Sequence, residues 1–190
     1  MSRRFMALLA VLVAVLAVAP AASAGDQKDV GSWGPSYGTT TLDVDPGTLG
    51  ALGSLGVTPG AVDPATLEGA RYSFPITTRL REALHTGIVS HRGGISLSAG
   101  GVTVELTDFD INVAERTLYG KVNGAGPVAL LDLDFSRARI RFNGYRLKFG
   151  PVGTTLTQGA ADALNEAFGT DALSDDTAIG DAKIRYRVRW

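Results

Sequence analysis

The sequence predicts a mainly β protein: an antiparallel β-sandwich or β-roll with two short helices covering its ends. Three observations carry that expectation. Residues 137–149 read RARIRFNGYRLKF, with Ala138, Ile140 and Phe142 alternating with Arg137, Arg139 and Arg141 before Asn143-Gly144. After it, Tyr145, Leu147 and Phe149 alternate with Arg146 and Lys148. Period-two alternation on both sides of Asn-Gly is a hairpin signal, because both central turn positions need φ > 0. One face of this hairpin is apolar and calls for cover; the other carries cations. Residues 183–190 repeat the pattern, with Lys183, Arg185, Arg187 and Arg189 between Ile184, Tyr186, Val188 and Trp190. Finally, 24 glycines punctuate a chain rich in Val, Thr and Ile, which suits short strands and tight turns.

The N-terminus reads as an address. Arg3 and Arg4 precede an apolar run over 5–18, and Ala22-Ser23-Ala24 fits the small-residue cleavage rule. The run is short for a bilayer span. We expect a signal peptide over 1–24, a flexible leader over 25–38 and one β-rich domain over 39–190, secreted or held at the cell surface. No transmembrane segment is expected after cleavage. Without Arg3 and Arg4, 16 cationic side chains face 19 anionic ones, so the balance moves from −1 to −3. That total points to no nucleic-acid partner. Nine of those cations lie in 137–149 and 183–190. Cysteine is absent, which excludes disulfides, thiol catalysis and cysteine-held metals.

Along the chain, 39–44 is the first strand. Asp45 then caps a helix begun by Pro46, with Leu49, Leu52 and Leu55 as its stripe and Gly56 as its stop. Residues 57–64 read as loop and 71–76 as a strand. Strands 87–91 and 95–98 flank Arg92-Gly93-Gly94, which reads as a turn. Strands 102–106 and 109–113 alternate in opposite phase around Thr107-Asp108, also read as a turn. Strands 117–123 and 128–135 follow. The apolar face then switches from Ala129, Leu131, Leu133 and Phe135 to Ala138, Ile140 and Phe142, which requires a corner near Ser136. Residues 154–157 form a short strand, and Thr157 caps a helix over 158–168 that Gly169 ends. This strand–helix–loop–strand unit resembles that of the N-terminal region, as a repeat or as a common motif used twice.

Signatures of catalysis are sparse. No His-Glu-x-x-His or phosphate loop occurs, and histidine is limited to His85 and His91. No catalytic residue and no metal site is assigned. Asp108/Asp110 and Asp132/Asp134 are carboxylates on one strand face each. Pairing with neighbouring arginines explains them better than calcium or acid–base work. Arg146, Lys148, Arg185, Arg187 and Arg189 form a cationic face. It either binds an anion or pairs internally with Asp132, Asp134 and Glu105.

Several runs resemble the core of the HtaA domain: GIVSHRGGI at 87–95, VELTDFDI at 104–111, TLYGKV at 117–122 and LDLDF at 131–135. The resemblance spans about 71–182. It implies an exported, β-rich, non-catalytic haem-binding module, with haem as cofactor. It places His91 where that family has a histidine near the haem. The family's axial tyrosine lies on a short segment opening with Trp-Gly, which Trp33-Gly34-Pro35-Ser36-Tyr37 loosely resembles; Pro35 and Gly38 depart from a helix there. The expected partner is haem. The alternatives are an anionic cell-envelope polymer bound by the arginine face of a structural or adhesive protein, and an apolar molecule carried between the sheets.

Overall fold

Short alternating segments need partners on both edges and cover on one face, and this chain supplies both by curling one sheet on itself. Residues 37–187 are described in a computed structural model. The signal peptide, nearly all of the leader and Arg189 lie outside the described residues. The elements are β1 (Gly38–Val44), α1 (Pro46–Ser54), β2 (Thr58–Val62), β3 (Thr66–Glu68), β4 (Arg71–Ile76), α2 (Leu80–Thr86), β5 (Ile88–Ser90), β6 (Gly94–Ala99), β7 (Val102–Asn112), β8 (Thr117–Val122), β9 (Ala125–Asp134), β10 (Arg139–Phe142), β11 (Arg146–Leu156), α3 (Gln158–Phe168) and β12 (Ala178–Arg187). Twelve strands form a sheet ordered β2-β6-β7-β8-β9-β11-β12-β1-β4-β3, with β10 on β11 and β5 on β7. Every pairing is antiparallel.

The sheet nearly closes into a barrel where β4 meets the junction of β5 and β6. Ile76 bridges His91, Thr77 N donates to Ser90 O, and Arg92 N donates to Pro75 O. The core lies inside this curl: Leu42, Phe74, Ile76, Phe109, Ile111, Leu130, Leu156, Ala161 and Ile184 are all buried. Ile76 is fully enclosed. Asp45 caps α1 by accepting from Gly47 N and Thr48 N, and Thr157 caps α3 by accepting from Ala160 N. Gly56 and Gly169 stop these helices in the left-handed region.

Several expectations are corrected. The helices number three among the described residues: α2 escapes a sequence reading, because seven residues are too few to show a stripe. Residues 58–62 are not loop but β2, a strand bonded to β6. Pro59 is tolerated because nothing on the main path pairs its other edge. Arg92-Gly93-Gly94 is not a hairpin turn. Instead β5 and β6 lie in succession along β7, and Gly93, with φ 79°, lets the chain pass where a Cβ would stand 2.4 Å from Ala65 N. Thr107-Asp108 is not a turn either. β7 runs through it with a bulge, Asp108 at φ 53°, and the bulge reverses the phase. A bulge in the β8–β9 pairing brings Leu130 inward in place of Leu131. The corner near Ser136 is present, closed by Ser136 N on Asp134 Oδ1 and Ala138 N on Phe135 O.

The hairpin itself shifts by one residue. Phe142 pairs with Leu147 and Arg141 with Lys148, which centres the turn on Gly144-Tyr145. Asn143 closes it: its N donates to Arg146 O, and its Oδ1 accepts from Arg146 N. The apolar face is not covered as expected. β10 pairs with β11 alone among the described strands, and Ile140 is 71%, Phe142 55% and Tyr145 75% exposed.

Candidate functional site

Two regions carry the residues singled out above: the barrel seam around His91, and the outer face of β11, β12 and β1. The seam comes first. His91 leaves β5 into the closure point and is 5% exposed. The Phe109 carbonyl can only accept, so Nδ1 carries the proton and donates to it at 3.0 Å. Nε2 therefore accepts from the Thr40 hydroxyl at 2.6 Å. Phe74 meets the ring edge-on, 6.5 Å between centroids, and itself packs edge-on against Phe109. Burial holds the imidazole down to about 4, outweighing the raising effects of the Phe109 carbonyl and the charge of Asp110. His91 is thus neutral, with both nitrogens engaged. His85 sits exposed on α2.

The second region follows from strand register. In β12, Ala182, Ile184 and Tyr186 are buried, so Lys183, Arg185 and Arg187 point outward. Arg146 stands directly opposite Arg187, and Lys148 opposite Arg185. Arg141 lies opposite Lys148 on the far side. Like charges in direct cross-strand register are unfavourable. None of these five forms an ion pair among the described residues. The ion pairs there are Arg71 and Lys183 with Asp43, Lys121 with Asp108 at 2.9 Å, and Arg137 with Asp181 at 2.6 Å. Arg71 and Lys183 hold the Asp43 carboxyl below its ordinary range.

The expected internal pairing with Asp132, Asp134 and Glu105 is therefore corrected. β9 meets β11 only at Gly153–Leu156, the end remote from Arg146 and Lys148. Asp134 instead accepts from Ser136 N and Oγ, which lowers its pKa. An open depression of about 320 Å³ beside Glu115, Arg116, Asp132 and Asp134 also lies at that remote end. No group of three metal-ligating side chains occurs among the described residues.

The register adds residues that sequence reading left aside. Arg187 N donates to Tyr37 O, and Tyr37 N donates to Ile76 O, so Tyr37 extends β1 opposite Arg187. Tyr37 is half-buried there and packs in part against the core. Its hydroxyl accepts from Arg79 Nε at 3.0 Å, with the guanidinium carbon 5.4 Å from the ring centroid. One row across the sheet therefore reads Arg146, Arg187, Tyr37, and the next Lys148, Arg185, Thr39. Arg79 is 42 residues from Tyr37 in sequence, and only the fold brings the two together. Ile76 links the two regions, bonded to Tyr37 on one side and bridged to His91 on the other.

No protein-family model matches the chain, and no curated protein matches it in sequence. Solved structures do match in fold. The C-terminal domain of HtaA from Corynebacterium glutamicum superposes with a TM-score of 0.56 at 11% identity, over 80% of this chain and 97% of that one. The heme binding protein HtaB from Corynebacterium glutamicum superposes with a TM-score of 0.51 at 10% identity, over 80% of this chain and 93% of that one. The likeness to HtaA domains first seen in short motifs is thus a likeness of the whole fold.

Proposed function

We propose that this protein is an exported, non-catalytic binding module, and that its ligand is haem, held on the outer face of β11, β12 and β1. One observation carries the reading: a tyrosine stands in cross-strand register with cations that have no carboxylate partner among the described residues. The fit to haem is chemical. Tyr37 offers a phenol oxygen of the kind that ligates ferric iron, already oriented by the Arg79 guanidinium. Arg187, Arg185, Arg146 and Lys148 offer charge-assisted hydrogen bonds to carboxylates at the ligand's rim. Haem, when bound, supplies the iron and the two propionates that these groups complement. His91 serves as a positioning residue: through Thr40 and Ile76 it fixes β1 and β4 beneath Tyr37. Its own nitrogens are engaged, so direct ligation would require giving up the Thr40 bond. Export follows from cleavage after Ala24 and fits release to the cell surface.

The test is titration with haemin followed by absorbance. Wild type should give a saturable Soret band with a tyrosinate charge-transfer feature. Tyr37→Phe should lose that feature and bind about tenfold or more weakly. Retention of both would overturn the assignment. A second reading is supported by the same unpaired cations: an anionic envelope polymer could neutralise Arg146, Arg187, Lys148 and Arg185. Polymer binding that survives Tyr37→Phe but not Arg187→Glu, in a protein that ignores haemin, favours that reading. An apolar carrier finds no support, since the barrel interior is filled by Phe74, Ile76, Phe109 and Leu156.

A further inference from the structure

The β10–β11 hairpin shares Arg146 and Lys148 with the cationic face, but its exposed apolar side chains belong to neither region. Six large hydrophobic side chains are exposed among the described residues, and three of them, Ile140, Phe142 and Tyr145, lie within this one loop. Pairing of Ile140 with Phe149 and of Phe142 with Leu147 gathers four apolar groups on a single face. The opposite face and the edge carry Arg139, Arg141, Arg146 and Lys148. None of these four is ion-paired with a carboxylate among the described residues. The tip is built rather than loose, because Asn143 ties both strands together through Arg146.

We propose that this hairpin docks the protein on an anionic lipid bilayer, tip first. Phe142, Tyr145 and Ile140 enter the boundary between headgroups and acyl chains, and Arg139, Arg141, Arg146 and Lys148 meet lipid phosphates. An apolar tip beside a cationic cluster supplies the two signals that stable peripheral attachment takes. A soluble polyanion would engage the cations but leave Ile140 and Phe142 in water. A second copy would cover the apolar face while bringing two sets of unpaired cations together. Both are less complementary than a bilayer.

The test is co-sedimentation of the full chain with vesicles of phosphatidylcholine alone, or with phosphatidylglycerol added. Wild type is compared with the Ile140→Ser/Phe142→Ser double variant and with Arg141→Glu. All three share one N-terminus, so its own lipid affinity cancels in the comparison. Both exposed apolar positions tolerate serine without loss of core, which a melting curve verifies. Binding should require phosphatidylglycerol, fall about tenfold in each variant and weaken with salt. A Phe142→Trp variant should give emission quenched by brominated acyl chains. Vesicle binding equal across wild type and both variants overturns the proposal. So does loss on Arg141→Glu alone, with heparin bound equally by wild type and the serine variant, which marks a polyanion. Concentration-dependent dimerisation abolished by the serine substitutions, without lipid binding, overturns it in favour of a second copy. Haemin titration of the serine variant, which leaves Tyr37 and β12 intact, keeps this outcome separate from that of the haem assignment.

Discussion

The barrel seam and the cationic strands obey opposite rules within one sheet. At the seam, both nitrogens of His91 are bonded, Thr40 is its partner, and Ile76 is fully enclosed beside them. Two pairs along β12, Arg187 with Arg146 and Arg185 with Lys148, confront each other with no ion-paired carboxylate among the described residues. One region spends its chemistry on burial. The other keeps charge unneutralised where a single aspartate would relieve it, and Asp43 does relieve Lys183 on the same strand. Local rules broken in one place and kept around it single out that place as the candidate site.

The comparison can be broken from the stable side first. Ile76→Ala should cost about 4 kcal/mol, since it empties the most enclosed side chain at the closure. Urea unfolding measures it, and a loss below 1 kcal/mol would mean that the seam does not hold the barrel. The next effect is pH-dependent. The folded His91 titrates near 4, below its ordinary 6.5, so the unfolded chain takes up the proton first. Its contribution is complete above pH 6.5 and erodes as pH falls toward 4, by on the order of 3 kcal/mol. His91→Gln should be less stable at neutral pH and should flatten that slope. A slope as steep as wild type would assign the acid sensitivity elsewhere.

On the cationic side the effects shrink. Gly144 has φ 72°, and Gly144→Val should cost about 1 kcal/mol, chiefly in the exposed hairpin. Thermal melting should therefore move less than for Ile76→Ala. The smallest effect has the opposite sign. Arg187→Gln relieves the contact with Arg146 and should stabilise the protein by about 0.5 kcal/mol at low salt. The gain should vanish as salt screens the pair. Destabilisation instead would reveal a partner for Arg187.

Much of the fold was legible because alternation reports a strand directly, and Asp45, Thr157, Gly56 and Gly169 mark helix ends chemically. What misled was punctuation that serves two purposes. Asp108 suits a turn, yet the same left-handed tolerance serves a bulge. Asn143-Gly144 signals a hairpin, but the Asn143 side chain takes over a closing bond and moves the turn centre to Gly144-Tyr145. The cationic candidates were legible as a pattern. That Arg146 confronts Arg187, and that Tyr37 joins the same row, depends on register between segments some 40 and 150 residues apart, which no local pattern encodes.

On the proposed function, β11 and β12 keep their cations for a ligand at a cost in stability. Arg185→Gln/Arg187→Gln separates the two quantities in one protein. Stability by urea unfolding and haemin affinity by absorbance titration are measured on the same samples at low salt. Stability should equal or exceed that of wild type, with affinity reduced about tenfold or more. Unchanged affinity, or affinity lost in step with stability, would contradict the proposed function.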